Sequence, residues 1–155
     1  MKFRFVYPVL SYEVYDGDTI NVERDKGEKV FDRRSCRLLT VDTPEIRPRH
    51  SRLNHVEEKQ AGLLVTECVG LWLRQRADRQ LMTVSISLDK YGGRYNGDIF
   101  PLDDEEETLG KWLLDNKLGR PYSGGARKYW PMPELKEITT SATRILLNDA
   151  EQPLH

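Results

Sequence analysis

"YEVYDGDTINVERDKGEKVF", residues 12 to 31, decides how the first part of the chain is read. Tyr12 and Val14, then Ile20 and Val22, alternate with polar positions, which is the period of a half-buried strand. Lys26-Gly27 marks a turn between two such runs. Inside this pattern stand Asp16 and Asp18, two carboxylates in the path of a strand. A turn can explain them, because Asp and Gly are turn formers. A metal can also explain them. Asp18 shares the parity of Ile20 and Val22, so it is expected on the face they bury, where a carboxylate needs a cation or several donors.

Outward from this stretch, "SCRLLTV" (35 to 41) reads as a further short strand, apolar enough to be covered on both faces. The period then changes. Ala61, Leu64, Val65, Cys68, Leu71 and Trp72 fall at helical spacing, with Asn54 and Glu57 as a candidate capping pair. "MTVSISL" and "RYNGDIF" are two more strands. "DDEEETLGKWLLDN" is predicted as a helix whose acidic first turn suits the positive end of the dipole. Leu135, Ile138, Ala142, Ile145 and Leu146 mark a last helix beginning at Pro133. The remaining tryptophans of the helices, Trp72 and Trp112, sit at core spacing. Three strands, a helix, two strands and two helices predict an α+β fold: a five-stranded antiparallel barrel with three helices packed outside it, since closure removes exposed sheet edges.

The 155 residues suit one domain, 1–155, with a real core. Hydrophobic residues at 38% and charged residues at 32% read as soluble and globular. Net charge is -1, so bulk electrostatics select no partner. "DDEEE" (103 to 107) holds five of the 25 acids; without them 24 bases face 20 acids, a local balance of +4. Bases gather in "RPRHSR" (47 to 52) and "KLGRPYSGGARK" (117 to 128), which read as solvated surface or as anion contacts. Cys36 and Cys68 form no C-x-x-C pair and sit among apolar neighbours, so buried free thiols are expected. "MKFRFVYPVLSY" has no signal-peptide core and no run approaches membrane-spanning length, which predicts a cytoplasmic protein, secreted only if a leader was removed.

Four constellations carry chemistry. In Asp16-Gly17-Asp18-Thr19 an EF-hand is a poor fit, because the sixth position from Asp16 is Asn21 and the twelfth is Gly27. In "RLLTVDTPEI" (37 to 46), Asp42 closes a strand, Pro44 forces the chain away, and Glu45 projects beyond. A strand-ending turn accounts for this stretch alone. Joined to Arg37, the carboxylates and a hydroxyl can orient a phosphate, a metal and a water. Asp18 and Asp42 offer the hard oxygens calcium prefers, a Thr43 carbonyl can add another, and Glu45 can act as a base on water. In "DKYGGRY" (89 to 95) a Gly-Gly turn precedes Arg94, a second guanidinium, while Lys90 and Tyr91 can hold a neighbouring phosphate. "LGRPYSGGARKYW" (118 to 130) interleaves Arg120, Tyr122, Arg127, Lys128, Tyr129 and Trp130, either as core-directed aromatics or as a single-strand contact. His50 and His55 are five apart, and three histidines with no cysteine pair argue against a zinc site.

Together "VYDGDTINV", "CRLLTVDTPE" and "DKYGGRYNGDIF" resemble the staphylococcal-nuclease-like (thermonuclease) family, in family order, from about Tyr12 to Tyr129. The resemblance implies an OB-fold barrel and a calcium-dependent endonuclease that hydrolyses phosphodiester bonds of DNA and RNA. It implies 3′-phosphate products and a preference for single-stranded regions; a monomer with no membrane partner is expected alongside it. By position, Asp18, Asp42 and the Thr43 carbonyl are similar to the calcium ligands, Arg37 and Arg94 to the phosphate pair, and Glu45 to the residue that activates water. Asp16 and Thr19 are similar to residues around the metal, and Lys90, Tyr91, Arg120 and Tyr122 to nucleic-acid contacts. Two departures stand out: Gly93 is an extra glycine before Arg94, and Tyr122 is followed by "SGG" rather than by a second tyrosine. The alternative function is a non-catalytic OB-fold module that binds single-stranded nucleic acid or a protein.

Overall fold

A computed structural model describes residues 4–90, 92–122, 124–125 and 128–152. The chain runs β1 (Phe5–Asp16), β2 (Thr19–Asp25), β3 (Phe31–Leu38), β4 (Val41–Asp42), α1 (His55–Arg76), β5 (Leu81–Leu88), β6 (Arg94–Pro101), α2 (Leu109–Asp115), β7 (Arg120–Pro121) and α3 (Met132–Ala150). Five strands close a barrel in the order β1-β2-β3-β6-β5, consistent with an OB-fold, and β4 pairs with β7 in a small separate sheet.

One expectation is corrected here. The barrel is mixed, not antiparallel: β3 and β6 run parallel, Ser35 opposite Arg94 and Arg37 opposite Asn96. Between them the chain crosses over through β4, α1 and β5, and only that long connection brings β6 beside β3 in the same direction. β1 is long because it serves two neighbours. Its first half pairs with β5 and its second half with β2, with register shifts after Val9 and Val14. Such irregularities bend a strand, which lets one strand close both sides of a barrel.

Ile20, Val22, Cys36, Leu38, Tyr95 and Ile99 fill the barrel and join the buried faces of α1, α2 and α3 in one core. Trp72 is fully buried and Trp112 packs against the core partly buried. Both cysteines are free and buried, and burial pushes the Cys36 and Cys68 thiols up to about 12. Among the described residues no helix is long and apolar enough to cross a membrane.

The helix ends differ from expectation. Asn54 does not cap α1 with its side chain; it adopts φ 63° and its amide donates to the Trp130 carbonyl at 3.0 Å. Asparagine tolerates that left-handed geometry, and the tertiary bond displaces the local one. The acidic run lies before α2 rather than in its first turn. Thr108 caps that helix, its hydroxyl accepting from Lys111 N at 3.2 Å. The acids turn instead to Arg79, which reaches Asp103 at 2.7 Å and Glu107 at 2.9 Å.

Candidate active site

The turn between β1 and β2 is closed by Asp16, whose Oδ1 accepts from Asp18 N at 3.1 Å. Gly17 lets the turn sit tightly: a Cβ there would lie 2.6 Å from Thr43 Oγ1 and 2.7 Å from Val65. Asp18, 1% exposed, therefore points inward as its parity requires. Its Oδ1 accepts from Thr19 Oγ1 at 3.2 Å and its Oδ2 from Thr43 N at 3.1 Å. The second of these bonds ties the first hairpin to the segment after β4.

Arg37 follows on β3, opposite Thr19. Its Nη1 donates to the carbonyls of Leu38 at 2.7 Å and Val41 at 2.8 Å, which fixes the guanidinium over the bend leading into β4. Its Nη2 then stands 3.5 Å from Asp18 Oδ2 and 3.7 Å from Asp42 Oδ1. These are ion-pair distances, longer than the roughly 2.7–2.9 Å of a charge-assisted hydrogen bond. One guanidinium is thus shared between two almost fully buried carboxylates. The Tyr122 ring covers Arg37 at 4.7 Å.

Asp42 has a second arginine. Oδ2 accepts from Arg120 Nε at 3.2 Å and Nη2 at 3.1 Å, because β4 and β7 place these residues opposite each other. Arg120 also donates to the carbonyls of Lys128 and Tyr129 and lies 3.7 Å above the Trp130 ring. Expected as a nucleic-acid contact, Arg120 stands inside the site and binds residues 128–130 to it.

Glu45 is half-buried just beyond Pro44. Its amide donates to Glu58 Oε2 at 3.0 Å, and Gly62 lets α1 approach closely, since a Cβ there would meet the Glu45 carbonyl at 2.6 Å. Glu58 is fully buried and is held from the other side by Arg52 Nε at 3.0 Å. Burial raises its pKa, and Arg52 opposes that shift. Sequence reading missed Glu58. The available signal was a charged residue in helical register with Ala61, Val65 and Trp72.

Arg94 begins β6 as expected and pairs with Ser35, two positions along the strand from the Arg37 pair. Equal parity in a parallel pair puts both arginines on one face, offset by about 7 Å along the strand. Arg94 Nη2 lies 2.8 Å from Asp89 Oδ2. Lys90 is exposed on the preceding turn, while Tyr91 and Arg127 lie outside the described residues.

For a cation the donor set is suitable but incomplete. Among the described residues no three His, Cys, Asp or Glu side chains converge as a metal group. A calcium ion held by Asp18, Asp42 and the Thr43 carbonyl would complete its shell with water, and the buried Thr43 hydroxyl, which has no hydrogen-bond partner, adds one more oxygen beside them. No protein-family model matches the chain, and no curated protein matches it.

Proposed function

We propose that the chain is a calcium-dependent nuclease that hydrolyses phosphodiester bonds of DNA and RNA, with preference for single-stranded regions and 3′-phosphate products. The observation that carries this reading is the convergence of Asp18 and Asp42 on one stretched guanidinium, with the backbone of Glu45, three residues after Asp42, tied to Glu58. Asp18, Asp42 and the Thr43 carbonyl would hold the ion, which supplies positive charge to the phosphate and acidity to water. Arg37 and Arg94 share a face and bind non-bridging oxygens as charge builds on them. Glu45 takes the proton of the attacking water; the bond from phosphorus to the 5′-oxygen breaks, and that oxygen leaves protonated from solvent. The two free, buried thiols suit a reducing cytoplasm, and the protein acts there as a monomer.

The test is cleavage of labelled single-stranded DNA with calcium or with chelator. Calcium-dependent cleavage that falls at least about 100-fold in Glu45→Gln is expected. Equal activity with chelator, or full activity in Glu45→Gln, would sink the proposal. A second reading, a non-catalytic binding module, is favoured by the arginine contacts that already engage Asp42 and the Arg37 Nη1. It predicts no cleavage, and nucleic-acid binding that survives both chelation and neutralisation of Glu45.

A further inference from the structure

Where β1 begins and the turns between β2 and β3 and between β5 and β6 come together, the barrel ends in a cavity of about 500 Å³. Its inner wall is Arg24, only 7% exposed. Nε and Nη2 of Arg24 reach the two oxygens of Asp32 at 2.8 and 2.7 Å, and the guanidinium lies between the rings of Tyr7 at 5.1 Å and Tyr95 at 4.6 Å. Arg34 and Lys26 approach the same carboxylate at 3.5 and 3.9 Å. Three cations therefore surround one Asp32. Arg24 takes its good geometry, and the other two side chains remain 47% and 37% exposed at the cavity rim.

Beside this surplus of positive charge stands an aromatic pair. Phe5 and Tyr7 are stacked, ring centres 6.5 Å apart and 12° from parallel. Arg24 and Lys26 lie over the Tyr7 ring, while Phe5 is 54% exposed. An apolar ligand leaves the two rim cations unexplained, and a bare anion leaves the exposed ring unexplained. A nucleotide uses both, its base lying on a ring and its phosphate meeting cations. The whole chain carries a charge of only -1, so the rim is a local feature rather than part of a basic surface.

Along β2 and β3 this cavity has a neighbour. A second, neighbouring concavity shares Arg34 and Gly93 with it and is lined by Asn21 and Ser35. Those two residues pair across β2 and β3 two positions from Thr19 and Arg37. Arg94 lines the cavity itself and stands on the same face as Arg37.

We propose that this barrel mouth is a nucleotide subsite for single-stranded nucleic acid, with the base on Phe5 and an adjoining phosphate on Lys26 and Arg34. The link to cleavage rests on the nuclease reading; the binding does not. The test is fluorescence anisotropy of a labelled oligothymidylate of about 12 nucleotides, within the span of an OB barrel, in chelator so that calcium-dependent cleavage cannot intervene. Lys26→Gln with Arg34→Gln is expected to weaken binding about tenfold and to lower the salt slope of log K by about 1.4. Phe5→Ala is expected to weaken it about tenfold with the slope unchanged, and Phe5→Tyr to restore it. Lys136→Gln with Arg144→Gln, the same charge change on α3 outside the cavity, is expected to leave affinity unchanged.

Unaltered binding in the mouth variants at preserved melting temperature would overturn the subsite. So would an equal loss in the α3 pair, or competition by polyglutamate as effective as by unlabelled oligothymidylate. Failure of the nuclease reading is separately visible. No cleavage with calcium, while the mouth variants still lose binding, removes the enzyme and keeps the subsite; intact cleavage with indifferent binding does the reverse.

Discussion

Two buried arginines, Arg37 and Arg24, stand on the barrel among the same kinds of neighbours and are used in opposite ways. Each is nearly removed from solvent, each faces aspartate, and each is covered by tyrosine. Arg24 meets one carboxylate with two short parallel bonds and lies between two rings. Arg37 gives its best donors to backbone carbonyls and stretches between two carboxylates at 3.5 and 3.7 Å. The first arrangement is closed: both Asp32 oxygens meet Arg24, with Arg34 and Lys26 farther off at 3.5 and 3.9 Å. The second is shared: Arg120 also holds Asp42 Oδ2, and Arg37 stands at ion-pair distance from both carboxylates. Distance and the sharing of partners, not residue type, separate the two arrangements.

The largest expected effect breaks the closed pair. Arg24→Met removes both short bonds to Asp32, leaves that carboxylate to Arg34 and Lys26, and should cost about 3 kcal/mol in denaturant unfolding, with turnover of the remaining folded protein less affected. Loss of turnover without loss of stability would reverse the roles assigned to the two arginines. Next, Arg37→Lys keeps the charge but loses the planar fork. Turnover should fall about 100- to 1000-fold, well beyond any change in substrate binding. An equal loss in binding with turnover unchanged would contradict a grip exerted on the transition state.

Calcium sharpens the comparison more gently. At 100 times its dissociation constant it should stabilise the protein by about 2.7 kcal/mol, an effect lost in Asp42→Asn and kept in Asp32→Asn. A melting temperature indifferent to calcium would count against Asp18 and Asp42 as ligands. The smallest effect concerns another carboxylate, the half-buried Asp98, which has backbone donors instead of an arginine. Burial pushes its pKa up to about 6, against the amides of Gly110, Ile99 and Leu109, which favour the ionised form. A folded pKa above the unfolded one favours the folded state at low pH. Stability should therefore decline by on the order of 2 kcal/mol as pH rises from about 4 to about 6, then level off. Asp98→Asn should flatten that slope; a slope unchanged in the variant would assign it to another group.

Much of the candidate site was legible because it is local. Asp16 to Thr19 and Arg37 to Glu45 are two short stretches at strand ends, and the pairing of Thr19 with Arg37 brings them together. Strand parity alone placed Asp18 inward. The helices were also legible as helices, but their ends were not, because Asn54 and the acidic run found partners far away in sequence. Glu58 was hidden for a related reason: a glutamate near a helix start ordinarily reads as a solvated charge, and only the approach of α1 to Glu45 buries it.

What the sequence determined by itself was the five barrel strands and three helices, the barrel class, the two free thiols and the carboxylates at strand ends, since alternation, turn chemistry and parity act over a few residues. The tertiary structure alone decided the parallel pairing of β3 with β6 and the clasp of Arg120 on Asp42, 78 residues away in sequence. It alone gathered Phe5, Lys26 and Arg34 at one mouth. Barrel closure is a global constraint: it brings strand ends together by geometry, whatever their distance along the chain.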